Sequence, residues 1–226
     1  RPRRELLSHV MSFKNIQKRI DDGYLEAVAV SATSYATGNS VSFFQGSPAQ
    51  KCWRRNKRIG VHAKLGIHHL LASSALPGIF PAEKLGRQYF GDGSLRQLSP
   101  LSPALKLGAD RIVVIGTRGP NKSAISTRRD HIPSLAQTLG HIFNSAFIDT
   151  LENDLEHMLR INELMGIVHY EAPKAHHYDY KAIDSLVIRP SIDFDEIASE
   201  HVADLPRAIR VGLYALGARR ASGGSN

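Results

Sequence analysis

Apolar and polar positions alternate along this chain in ways that predict both helices and strands. Near the start, Phe13, Ile16, Gln17 and Ile20 follow helical spacing, and Asp21-Asp22-Gly23 closes the run, so the first twenty-odd residues are expected to be helical. LEAVAVSAT (Leu25 to Thr33) is small and apolar, as suits a buried strand of a covered sheet. SVSFFQG (Ser40 to Gly46) alternates. It reads as a strand paired with the first across the Ala36-Thr37-Gly38-Asn39 turn. The stretch from His62 to Pro81 begins as an apolar helix and ends in small residues and a Pro-Gly turn. Ser102 then caps a short helix, with Pro103 at its first position and Gly108 past its end. Arg111 to Ile115 lacks polar alternation, which predicts a strand buried on both faces.

Beyond it, Asn121 to Asp130 is polar and basic and reads as a loop. Leu135, Leu139, Ile142, Phe143, Ala146 and Phe147 set an apolar stripe that Leu151, Leu155, Met158 and Leu159 continue, so Pro133 to Leu164 reads as a packing helix in one or two pieces. Glu156 and Arg160 form an i, i+4 pair on it. Ser185 to Arg189 is a last strand, stopped by Pro190. Phe194 to Val202 and Leu205 to Leu216 are closing helices. Helix then strand over short links is α/β grammar. The expected organisation is one domain over 1–218 with a flexible tail over 219–226.

Composition narrows the partners more than the fold. The 226 residues hold 29 basic and 21 acidic side chains, a net +8, which favours anionic partners such as nucleic acid, anionic lipid or an acidic substrate. The single Cys52 excludes an internal disulfide and a thiolate cluster. No apolar run approaches the roughly 18 residues needed to span a bilayer. The chain opens on Arg1-Pro2-Arg3-Arg4 rather than Met, so it is expected to be a processed product or a segment of a longer polypeptide. KCWRRNKR (Lys51 to Arg58) reads either as a solvated loop or as a contact to anionic head groups through Trp53, Arg54 and Arg55. No nucleic-acid motif accompanies it, and no nucleic-acid partner is expected. His68 and His69 are neighbours that point to different sides of a helix, unlike an i, i+4 chelating pair. No metal site is expected.

The chemistry concentrates around YFGDGSLRQLSP. Asp-Gly alone is a turn signal. Asp110, in the later Gly-Ala-Asp turn, reads as a turn residue only. The order ASSALPGIFP, then YFGDGSLRQLSPLSPALKLGADRIVVIG, resembles the patatin-like phospholipases, whose pattern runs A-S-x-A-x-P-x-x-F-P, D-G-[GAS], a Pro-containing helix, G-A-D and an apolar strand. RELLSHVMSFKNIQKRIDDGYLEAVAVSATSYATG resembles the segment that follows the serine in bacterial members, so the likeness covers nearly the whole chain.

The resemblance implies a three-layer α/β/α fold with a mostly parallel sheet, present here as its C-terminal portion. It implies a serine acyl hydrolase of fatty acyl esters or phospholipids, using a Ser-Asp dyad without metal or cofactor. It implies a cytoplasmic or peripherally membrane-associated protein. Asp92 would be the catalytic base, supported by Gly91, Gly93 and Ser94. Ser73, Ser74 and Pro77 would border the cleft or simply pack helix on sheet. The chain departs from the pattern in one respect: it holds neither the GxSxG serine nor the Gly-rich oxyanion loop. Both are expected in an upstream segment of the same protein. The remaining alternative is a non-catalytic fragment or degenerate relative that binds lipid through its basic stretch. Asp92 itself could serve only its own turn, as an Asx-type residue. Ser94, two residues on, is not expected to face Asp92 along an extended backbone.

Overall fold

The computed structural model describes residues 2–97, 99–116, 151–167 and 182–192, with Asp204 and Val211 alone beyond them. Expected features over 117–150, 168–181 and most of 193–226 lie outside the described residues: the basic loop, the first part of the long helix, the closing helices and the tail.

The first expected helix is two. α1 (Pro2–Val10) and α2 (Ile16–Asp21) are separated, and Gly23 at φ +76° ends the second. β1 (Ala27–Ser34) and β2 (Ser40–Gly46) then form the expected hairpin, in register from Ala27↔Gly46 to Thr33↔Ser40. Lys51 to Arg58 is not a loop. It forms β3 (Trp53–Arg55) and the start of β4 (Arg58–His62), joined through Asn56 at φ 52°. The helix expected from His62 is shorter: α3 spans Ile67–Ser73. Before it, His62 pairs with Phe44, and the Ala63 N–H donates to the Phe44 carbonyl at 2.8 Å, which holds the chain extended. β5 (Glu83–Leu85) and β6 (Gln88–Gly91) make a third hairpin around Gly86, at φ +61°. A 3-10 turn at Gly93–Leu95 and α4 (Ser102–Lys106) follow, then β7 (Arg111–Ile115), a helix over 151–167 (α5) and β8 (Asp184–Ile188). Ser102 lies inside α4 rather than capping it.

The fold is α/β, but the sheet is not mostly parallel. Strand order is β3-β4-β2-β1-β6-β5, and only β2 and β4 run parallel in it. The reason is local: three tight hairpins each impose antiparallel pairing, and Asn56 and Gly86 supply the positive φ that two such turns use. A separate two-stranded sheet pairs β7 with β8 in parallel.

The described residues fall into two compact units, Arg1–Asp110 with Ala146–Ile183 and Arg111–Ser145 with Asp184–Asn226. In the first, α3 packs through Ala72 on one sheet face, over Ala32, Val41 and Phe90, with Phe43 meeting Phe90 edge-on at 5.3 Å. Phe44 points to the other face, fully buried, where Trp53 stacks on it at 5.1 Å and 20°. Burial of that one ring stabilises the fold by up to about 3 kcal/mol. In the second unit, β7 is buried on one face only. Ile112 and Val114 are covered, whereas Val113 and Ile115 are 60% and 77% exposed. An apolar run marks strand propensity, and its outer positions need a covering layer that the described residues do not supply.

Candidate active site

Asp92 follows directly on β6, where Gly91 pairs with Thr33 of β1. Three sets of hydrogen bonds fix the residue. Its N–H donates to the Ala75 carbonyl at 3.0 Å. Its own carbonyl accepts from Thr33 Oγ1 at 2.8 Å. Its carboxylate Oδ1 accepts from the Ser94 N–H at 2.9 Å and from Ser94 Oγ at 2.5 Å. Ser94 therefore does face Asp92, because the backbone enters a 3-10 turn instead of continuing extended. This is an Asx-type turn, and it uses one carboxylate oxygen. Oδ2 has no partner among the described residues, and the side chain is half-buried.

The flanking glycines are required by close approach rather than by unusual φ angles. A Cβ on Gly93 would lie 2.4 Å from the Ser31 carbonyl oxygen, and one on Gly91 would lie 2.5 Å from the Tyr35 hydroxyl. The first contact is to strand backbone and the second to the tip of the exposed Tyr35 side chain.

The Ala75 bond brings the loop after α3 against this turn, so the two motif segments meet. Within that loop Ser74 is exposed, and its Oγ donates back to the Leu70 carbonyl at 2.7 Å. Arg3 donates to the carbonyls of Ser74 at 2.7 Å and Leu71 at 3.2 Å, and its guanidinium lies 4.1 Å from the Phe80 ring centroid. A cation at the carbonyl end of α3 is favourably placed. Ser73 and Pro77 are half-buried, and neither is hydrogen-bonded to the Asp92 carboxylate. Gly78 at φ +77° forms the Pro-Gly turn.

Trp53, Arg54 and Arg55 lie elsewhere, on β3 at the sheet edge farthest in strand order from β5 and β6. Trp53 is half-buried against Phe44 and Gly60, whose missing Cβ makes room for the indole. Arg54 and Arg55 are exposed. His68 and His69 do diverge. His68 Nδ1 meets Glu83 at 2.5 Å on the surface. The His69 ring packs on Phe43 at 5.0 Å, and its Nδ1 accepts from the Gly66 N–H at 3.1 Å. Burial holds His69 below the ordinary imidazole value, and the neighbouring His68 charge adds to this.

Sequence reasoning missed two features. Thr33 clamps the Asp92 backbone from an adjacent strand. Asp154 of α5 accepts from Ser99 Oγ at 2.6 Å and from the Leu101 N–H at 2.9 Å, fixing the entry to α4. Neither has a local signal, because each joins residues more than fifty positions apart. Among the described residues, no three His, Cys, Asp or Glu side chains group as metal ligands, and no helix is long and apolar enough to cross a membrane. No family model, curated protein or solved structure matches the chain.

Proposed function

We propose that this chain is the Asp-bearing portion of a patatin-like serine acyl hydrolase acting on fatty acyl esters, such as phospholipids. The observation that carries the reading is the fixed Asp92 carboxylate: Oδ1 is held by Ser94 while Oδ2 is unpartnered among the described residues. A base of this kind must be positioned tightly, because no histidine stands between it and the serine. The contact between the Ala75 loop and the Asp92 turn also supports the reading, since the two segments that resemble the family pattern meet there.

The serine would come from an upstream segment of the same protein, as no GxSxG occurs in these 226 residues. Asp92 Oδ2 accepts the serine proton as the hydroxyl oxygen attacks the ester carbonyl. The proton then passes to the departing alcohol, leaving an acyl-enzyme. In the second half, Asp92 deprotonates water, which attacks the acyl carbonyl and releases the fatty acid and the serine. Upstream backbone amides stabilise the oxyanion in both steps. The enzyme would work in the cytoplasm or at a membrane surface.

Asp92→Asn tests this in the complete natural polypeptide. Asn keeps the Oδ1 acceptor and hence the turn, but cannot take up a proton at the other position. Ester hydrolysis should fall by at least about 10³-fold with an unchanged melting temperature, given the usual size of such effects. Retained turnover overturns the proposal. A fluorophosphonate probe should label a serine upstream of Arg1.

A second reading, a non-catalytic lipid-binding module, draws on the adjacent exposed Arg54 and Arg55 at the β3 edge. It requires salt-sensitive sedimentation with anionic vesicles that Arg54→Glu with Arg55→Glu abolishes. Equal binding to neutral vesicles removes it.

A further inference from the structure

The first unit contains a cavity of about 320 Å³ that the Asp92 reading does not use. It lies among β3, β4, α4 and α5, and none of Ser73, Ser74, Pro77, Gly91, Asp92, Gly93 or Ser94 lines it. Its volume falls within the range of small-molecule sites.

Its walls divide by chemistry. Trp53, Leu101, Met158, Ile161 and Ile183 form an apolar interior. Two of the polar side chains set among them are already paired. Ser99 donates to Asp154, and Asn162 makes both of its amide hydrogen bonds to the Ile183 backbone, at 2.8 and 2.9 Å. Ser102 and His157 also line the cavity, but the apolar side chains outnumber the polar groups left for a ligand body, so an aliphatic chain fits the apolar part best.

The rim is cationic. Arg55, Arg58 and Lys106 converge on the cavity, and none makes an ion pair or side-chain hydrogen bond among the described residues. Against these three cations stands one carboxylate, Asp154, so two positive charges are in excess. A second cavity adjoins the first, shares Arg58 and Asp154 with it, and adds Lys57 and Arg96. Like charges gathered beside a low-dielectric wall raise the local concentration of anions.

We propose that this cavity binds a single-chain anionic amphiphile, with the acyl tail against Trp53, Met158 and Ile161 and a phosphate or carboxylate head between Arg58 and Lys106. The site stands independently of the Asp92 chemistry. It is a partly open pocket for one molecule, not a surface for a bilayer.

Trp53 is the only tryptophan in the chain, so its fluorescence reports on the site directly. The 226-residue chain is titrated with dodecyl phosphate below its micellar concentration. The expected result is a blue shift that saturates at one equivalent. Arg58→Gln with Lys106→Gln should weaken binding at least tenfold without changing thermal unfolding, since Lys106 is exposed and Arg58 only partly covered. Dodecyl maltoside, the neutral amphiphile, and inorganic phosphate, the bare head group, should each bind at least tenfold more weakly. Equal affinity for either one, or for ADP, overturns the proposal. So does undiminished binding by the double variant, or a response to anionic vesicles with none to monomeric dodecyl phosphate.

Discussion

Gly93 shows how little room single residues have beside Asp92. Gly93→Ala would drive a Cβ to 2.4 Å from the Ser31 carbonyl oxygen, a backbone atom held by the β1 ladder. The turn must move, and chemical unfolding should show a loss of roughly 1–3 kcal/mol. Gly166→Ala is the control of opposite sign. That helical position has nothing within 4 Å, so alanine should be neutral or stabilise by up to ~1 kcal/mol. His69 adds a pH dependence. Its folded-state value lies below 6.5, so the unfolded chain takes up this proton first as pH falls. Neutral His69 therefore contributes stability that is fully present above about pH 6.5 and is lost on acidification. His69→Gln, which retains an acceptor for the Gly66 N–H, should flatten the loss of stability below that pH in urea titrations. A decline as steep as in the parent chain would count against it. At this scale the sequence marked Asp92 and its two glycines, but the reason for the glycines was illegible. It lies in Ser31 and Tyr35, which only the strand pairing brings near.

At the scale of elements, legibility followed the range of the forces. The β1–β2 hairpin, Leu155 and Met158 of α5's apolar stripe (though not Leu159, which is exposed), and the Glu156–Arg160 pair were readable because neighbours in sequence decide them. The hairpins at Asn56 and Gly86 also carried local signals, an Asn and a Gly between short runs, but the basic residues of β3 and the brevity of β5 hid the strands. Strand direction was misjudged for the same reason: each unrecognised tight turn is an antiparallel pairing that replaces a parallel crossover. The join between α5 and Ile183 had no sequence signature at all. Asn162 substitutes for a strand partner there, donating to the Ile183 carbonyl and accepting from its N–H. Asn162→Leu would leave two backbone groups of a buried residue unpaired, at a cost of about 2 kcal/mol. Amide exchange at Ile183 should accelerate more than exchange in β2. Equal protection in parent and variant would show that the bond does not hold the segment.

For the molecule as a whole, the net charge of +8 opposes self-association, while two surfaces favour it. Along β1, Ala27 to Ala32 have a ladder partner on the β2 side, whereas β6 reaches only Thr33 and Ser34. Among the described residues, 27–30 have no strand partner on that side, and an unpaired edge of this kind accepts another strand. On the second sheet, Val113 pairs with Leu186 and Ile115 with Ile188, which puts four exposed apolar side chains on one face. Such a patch is a recognised association hazard. Repulsion between chains is screened by salt, but apolar contact is not. The 226-residue chain should therefore sediment as a monomer at low ionic strength and associate as salt rises. Val113→Lys with Ile115→Lys, which replaces two exposed side chains, should restore the monomer at high salt without lowering the unfolding temperature. If association persists unchanged, the open edge of β1 is its source. A proline at Ala29, which removes a backbone donor, should then act where the lysines did not. Association that weakens with added salt would instead mean that opposite charges, not apolar surface, draw the chains together.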